Sequence, residues 1–393
     1  MIIIFFEFLA IIYCINALQR RYIKLSNVLI IGLSIQVITL VLYRINLDYI
    51  GRDVYFSDSE VYWNNTLQLL RGQKLTGYGT QVGYAYFCAL IELLSPFYSV
   101  LWLNISNVLI VDISVLILCI IIYEDNHNRS NIKLFAEICL FNPLIIYSLL
   151  RNMKDALFLF IIVVIILLYT KIKRNRKWIY IIPIIILTIV VSTIRPWGFL
   201  IMPVLAIDGF LSSDIGSPKK RLIITIIILT LFIIVLKATS LWDHVLLWEP
   251  IVIERASKLS MIEIISAPIK ILTGPGPYRS FFGNDYFLYT TTVGNIASGI
   301  GSIVWWMAIS TMLANIKSFR ITKCNLTVLL VCLMFLGIYS MQYGGSLELR
   351  FRGVIYILFA AMFFSGLKKH IKVTPVSVLI FIIALPVGTI LSA

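Results

Sequence analysis

Charge is scarce in this 393-residue chain: only 13 % of residues are Asp, Glu, Lys or Arg, and histidine occurs three times. A soluble surface of ordinary composition is thereby excluded, since about a quarter of the residues of soluble domains are charged. His127, His244 and His370 stand far apart, and no two have metal-ligand spacing. The six cysteines (Cys14, Cys88, Cys119, Cys139, Cys324 and Cys332) lie mostly inside apolar runs and contain no CxxC pair. Neither a disulfide framework nor a zinc site is indicated. Low-complexity linkers are missing too, so the chain reads as a single domain over residues 1–393. No basic stretch precedes the first apolar run and no small-residue cleavage site follows it, so a removable signal peptide is not expected.

What is present is hydrocarbon. Hydrophobic residues make up 60 % of the chain and the mean hydropathy is +0.95. Apolar runs of roughly 16–20 residues recur from end to end, the pattern of an all-α, polytopic integral membrane protein. The formal charge of +14 sits in short loops between runs: Arg20, Arg21 and Lys24; Lys171 to Lys177; Lys219 to Arg221; Lys317 to Lys323; Lys368 and Lys369. That is the positive-inside bias of a membrane protein, and it argues against a nucleic-acid partner.

With those loops taken as cytoplasmic, alternation predicts spans at 2–17, 26–43, 99–122, 134–150, 156–170, 178–194, 197–211, 222–237, 288–312, 325–341, 353–367 and 374–391. Residues 83–96 are short for a crossing and end at Pro96, so they are expected to be re-entrant or steeply tilted. The expectation is about twelve crossings plus this short helix. Two large extracytoplasmic loops, 44–82 and 238–287, would carry interfacial helices.

Polar groups collect on the predicted outer face. Ser57-x-x-Glu60 is a capping box, and Tyr62, Trp63, Leu67, Leu69 and Leu70 form one broad apolar face after it. Asp58 and Glu60 either favour the helix N-terminus or do chemistry; Asp58, at the lipid–water boundary, is the candidate base. Arg151, Lys154 and Asp155 interrupt an apolar stretch at an external turn, where basic residues are disfavoured. Arg195 ends one span, and Arg350 and Arg352 begin another. Arg195 either snorkels to lipid phosphate or binds substrate phosphate, and one of Arg350 and Arg352, disfavoured on this face by the positive-inside bias, is expected to bind phosphate. Gly274-Pro275-Gly276-Pro277-Tyr278-Arg279 ends a predicted amphipathic segment, roughly 257–272, as a rigid turn. Arg279 and Tyr62 are possible accessory groups. Glu92 and Asp112, inside apolar runs, are expected to make structural contacts between helices. A carboxylate opposite several cations suits group transfer with a phosphate leaving group.

On Ser57-Asp58-Ser59-Glu60-Val61-Tyr62 with Leu70-Arg71-Gly72, Asn142-Pro143 leading to Lys154-Asp155, Arg195-Pro196 and Arg350-Phe351-Arg352, the chain resembles the GT-C superfamily of polytopic glycosyltransferases. It is also similar to the polymerases of O-antigen and capsule repeat units. The resemblance implies a GT-C-like fold in a bacterial cytoplasmic (inner) membrane, serving surface polysaccharide such as lipopolysaccharide, with the site on the extracytoplasmic face. It implies a polyprenyl-phosphate- or diphosphate-linked sugar donor and a glycan or lipid-linked acceptor, with membrane lipids around them. By the same likeness Asp58, with Glu60 beside it, inherits the acidic catalytic position. Arg151, Lys154, Arg195, Arg350 and Arg352 are the phosphate-binding groups, with Asp155 as an accessory. The chain departs from the family in an extra span before the first large loop and in lacking a soluble C-terminal domain. One Asp-x-Glu is a weak basis for a divalent ion, so no metal or other cofactor is expected. The competing class is a flippase or transporter of lipid-linked oligosaccharide. It would string its ionisable residues along a central path, whereas here most lie in loops on one face.

Overall fold

The computed structural model describes residues 1–49, 51–54, 58–75, 82–175, 177–211, 226, 230, 233–234, 237, 250, 253–274, 276–282, 292–344, 349–367, 369, 371 and 374–391. They form α-helices with a few 3-10 turns, and the pairing among them outside helices is a single isolated bridge between Phe319 and Leu367. The helices are α1 (Ile2–Gln19), α2 (Ser26–Tyr49), α3 (Asp58–Leu70), α4 (Val82–Leu93), α5 (Val100–Asn126), α6 (Arg129–Leu140), α7 (Pro143–Leu150) and α8 (Asp155–Asn175). They continue with α9 (Ile181–Ile194), α10 (Ile201–Leu211), α11 (Met261–Thr273), α12 (Pro277–Phe282), α13 (Thr292–Ala314), α14 (Lys323–Tyr343), α15 (Leu349–Gly366) and α16 (Pro375–Leu391). Among the described residues, six helices are long and apolar enough to cross a membrane, or seven if the bent pair α6–α7 counts as one span. Shorter apolar segments include Val82–Leu93, Trp178–Ile194, Pro196–Leu211 and Phe351–Gly366. The chain is a multi-pass membrane protein of helical type. The expected span 222–237 falls almost wholly outside the described residues, as does Ser57 of the expected capping box.

The burial pattern inverts that of a water-soluble bundle. Phe5, Phe6, Ile12, Ile30, Val37, Ile38 and Ile45 face outward, while Glu7, Gln36, Thr39, Ser106 and Asp112 face in. With hydrocarbon outside, an inward polar group gains a partner that lipid cannot supply. Gln36 donates to Asp112 at 2.6 Å, and Ser106 donates to Glu7.

Ion pairs tie the basic end together. Glu124, near the end of α5, takes Arg21 from beyond α1 at 3.3 Å and Arg174 from α8 at 2.9 Å. Lys173 reaches Asp208 of α10 at 2.8 Å, and Thr327 of α14 donates to the same carboxylate at 2.8 Å. Asn126 donates to the carbonyls of Phe364 and Leu367, closing α5 against the end of α15.

Two segments enter the opposite end without passing through. Helix α4 starts with Tyr84 bonded to Asn152 and ends where Glu92 accepts from the Ser99 amide at 2.8 Å, just before α5. Both its termini therefore lie at that end. The second segment is the hairpin α11–α12. Ser260 and Glu263 cap α11 reciprocally, the Ser260 amide and hydroxyl donating to the carboxylate at 2.7 and 2.8 Å. Those bonds hold the Glu263 carboxyl below its ordinary pKa. Because the folded value is depressed, this support is present at neutral pH and is lost as pH falls through the folded pKa. Met261, Ile262, Ile265 and Ile269 stay exposed on one face of α11. Its far end lies inside the bundle: Trp305 Nε1 donates to the Leu272 carbonyl at 2.7 Å, and the Tyr356 hydroxyl donates to that of Gly274. Trp305 lies 13 residues into α13, ~20 Å along its axis at 1.5 Å per residue. The end of α11 at Gly274, read from sequence as the start of a rigid turn in an external loop, is thus set at depth between α13 and α15.

Candidate functional site

The site grows from a broken helix. Asn142 caps α7, its Oδ1 accepting from the amides of Leu144 and Ile145 at 3.0 and 3.4 Å, while its Nδ2 donates to the Gly301 carbonyl at 3.1 Å. Pro143 at the first helical position cannot continue α6, and the axis bends by 57° between α6 and α7. Helix α7 then lasts only two turns. At its end the chain turns back through Arg151, Asn152 and Met153 before α8 starts at Asp155.

Carbonyls left over at the end of a helix need donors. Two asparagines at i, i+3 on α5 supply them: Asn104 donates to the Leu150 carbonyl at 2.9 Å, and Asn107 to that of Arg151 at 2.7 Å. Asn152 bridges outward, accepting from the Tyr84 hydroxyl at 3.0 Å and donating to the Ser59 carbonyl at 3.2 Å. Tyr62 packs edge-on against Tyr84, ring centroids 5.0 Å apart, and the Lys154 ammonium lies 5.5 Å from the centre of the Tyr62 ring. Helix α3 is thereby fastened over the turn 151–155. Asp58 lies one turn before Tyr62 on the same helix face and is half-buried. Glu60 is exposed and pairs with Arg52 at 3.7 Å. Of the two acidic candidates, only Asp58 shares the face that meets the turn.

Arg151, Lys154, Arg195 and Arg352 are all buried at this end. Arg195 forms an ion pair with Asp155, in the first turn of α8, where the helix dipole also favours the carboxylate. The rings of Phe158, Trp197 and Phe351 surround the Arg195 guanidinium at 5.6, 5.8 and 5.4 Å. Arg352 is fully buried beside the tip of the α11–α12 hairpin; a Cβ placed on Gly274 would lie 2.5 Å from its Nη1. A side chain at position 274 would therefore require the guanidinium to shift. Arg151 differs from Arg195. It is 2 % exposed and its guanidinium lies 5.5 Å from the centre of the Tyr147 ring. It forms no ion pair among the described residues, and its Nε has no hydrogen-bond partner among them. The side chains of Arg279 and Arg350 lie outside the described residues. No group of three His, Cys, Asp or Glu among the described residues could hold a metal ion.

No protein-family model matches the chain, and no curated protein matches it. The site must be read from its own geometry. Sequence analysis picked out Asp58, Tyr62, Arg151, Lys154, Asp155, Arg195 and Arg352, and all of them lie at one end of the bundle. It missed Tyr84, Asn104, Asn107 and Asn152, which hold the turn and α3 together. Asn104-x-x-Asn107 carries the one legible signal, two amides on a single face of an otherwise apolar helix. Replacing Asn152 with Ala should leave the buried Tyr84 hydroxyl without its acceptor, remove the tie to α3 and cost about 2 kcal/mol. A lowered thermal midpoint of the purified protein in detergent would report that loss; an unchanged midpoint would remove Asn152 as the fastening for α3.

Proposed function

We propose that the chain is a membrane glycosyltransferase of GT-C-like or repeat-unit-polymerase type, built on about twelve crossings and the short helix α4. It moves a sugar or glycan from a polyprenyl-phosphate or diphosphate donor to an acceptor hydroxyl on the outer face of a bacterial cytoplasmic membrane. The observation that carries this reading is Arg151, a buried guanidinium with no ion-pair partner among the described residues. A cation in that position costs stability unless an anion joins it, and a guanidinium is suited to the paired oxygens of a phosphate. Lys154, in the same turn, adds a second positive charge.

In this mechanism Asp58 accepts the proton of the acceptor hydroxyl as its oxygen attacks the anomeric carbon of the donor. The bond from that carbon to the phosphate oxygen breaks, and Arg151 and Lys154 stabilise the charge on the departing phosphate. Arg195 and Arg352 extend the positive field, Arg195 being oriented by Asp155. The test is transfer by the purified protein in detergent, using total lipid-linked glycan from its host as donor. Asp58→Asn should abolish product formation while the melting profile stays native. Retained transfer would remove Asp58 from the mechanism.

One observation favours the transport reading instead. Glu7, Glu92 and Asp112 are buried carboxylates packed near α5, and each has one oxygen without a hydrogen-bond partner among the described residues. Intramembrane acids of this kind serve ion coupling in transporters. Detergent micelles have no two sides, so a flippase would yield no new chemical species in the same assay, whereas a transferase would.

A further inference from the structure

At the basic end, far from the site just described, α8, the 3-10 turn Trp178–Tyr180, α9 and α10 form an open apolar crevice. Tyr169, Ile172, Trp178, Ile184, Met202 and Leu205 contribute to its walls. The Tyr169 hydroxyl is spent on the Leu205 carbonyl at 2.9 Å, so it offers nothing to a polar occupant. Walls of this kind do not hold ordered water, which needs several polar partners. Neighbouring side chains on the same elements, Ile179, Ile182, Ile186 and Ile207, point outward as exposed hydrocarbon, so the crevice opens on a lipid-facing surface.

Charge at its mouth selects the occupant. Four cations of the basic loop are described at this end of α8 and the turn that follows, and they divide into two kinds. Lys173 and Arg174 are committed to Asp208 and Glu124. Lys171 and Lys177 form no ion pair among the described residues. Lys171 directly precedes the lining residue Ile172 and holds its ammonium 5.9 Å from the centre of the Tyr180 ring. Lys177 is exposed and directly precedes the lining residue Trp178. Two lysines with no ion pair among the described residues therefore adjoin the lining of an apolar slot at the basic end of the bundle. We propose that the crevice binds one acyl chain of an anionic phospholipid, whose headgroup phosphate is held between Lys171 and Lys177. The assignment is independent of what the opposite end of the bundle catalyses.

Trp178 is a built-in probe, because brominated acyl chains quench an indole that they touch. The full-length protein in detergent would be titrated with brominated phosphatidylglycerol and, separately, brominated phosphatidylcholine. The Trp178 share is the difference between the native protein and Trp178→Phe. Phosphatidylglycerol should quench that share at a much lower mole fraction than phosphatidylcholine. Lys171→Gln with Lys177→Gln, both surface changes, should weaken the phosphatidylglycerol response about twentyfold and leave the phosphatidylcholine response unchanged. Equal quenching by the two lipids would overturn the proposal. So would a double variant that binds phosphatidylglycerol as the native protein does, or a Trp178→Phe protein whose quenching matches the native curve.

Discussion

Replacing Arg151 with Met is expected to raise the thermal midpoint of the protein while lowering glycosyl transfer by about a hundredfold to a thousandfold. The two effects share one cause. A buried guanidinium with no ion-pair partner among the described residues is a cost in the resting protein, and an apolar side chain of similar length removes that cost. The same substitution removes a cation from the charge that builds on the departing phosphate, and losing one such group costs about 2.7–4 kcal/mol of transition-state stabilisation. Arg151→Lys should restore only part of the rate, since an ammonium keeps the charge but not the planar fork. Melting curves in detergent and initial rates with a lipid-linked donor measure both quantities on one preparation. A variant that melts lower with its rate unchanged would assign Arg151 to the scaffold and leave the phosphate site without its main support.

Asp155→Ala should act in the opposite sense. Asp155 is fully buried and pairs with Arg195, and breaking a buried pair from one side costs about 3–5 kcal/mol. For a membrane protein in detergent this would appear as a large drop in thermal midpoint or as failure to purify as a monodisperse peak. Replacing both partners, Asp155→Leu with Arg195→Met, should recover most of that loss, because two hydrocarbon side chains fill the volume among Phe158, Trp197 and Phe351. The double variant then separates structure from chemistry. If it folds yet transfers poorly, Arg195 contributes to the phosphate field; if it folds and transfers normally, the pair is architectural. A single variant with an unchanged midpoint would show that Arg195 does not depend on Asp155.

Much of the helical framework is visible in the apolar runs. The expected segments 2–17, 99–122 and 156–170 correspond to α1, α5 and α8, each lengthened by a turn or so where polar residues continue the helix into the headgroup layer. The helix break at Asn142-Pro143 is legible because proline lacks the amide that α6 would need in order to continue. Three things are not legible, each for a physical reason. Run length reports how much hydrocarbon a segment can face, not at which depth its ends stop, so the course of α4 emerges only from Tyr84 and Glu92 finding their partners. A Gly-Pro-Gly-Pro sequence ends a helix, yet whether that end sits in water or between helices depends on Trp305 and Tyr356, which donate to the carbonyls of Leu272 and Gly274 from distant elements. Finally, which outer arginine meets a carboxylate cannot be read from spacing. Arg151 and Arg195 look alike in sequence, and only the fold gives one of them a carboxylate.

On the proposed glycosyltransferase reading, the α11–α12 hairpin limits how a long isoprenoid could reach the site. Its tip is bonded to α13 through Trp305 and to α15 through Tyr356, so those two helices cannot part without giving up one of these bonds. A doorway for a lipid tail between them would have to be cut through a riveted plate. On that reading a lipid tail enters around another side of the bundle, with this flank serving as the fixed jamb.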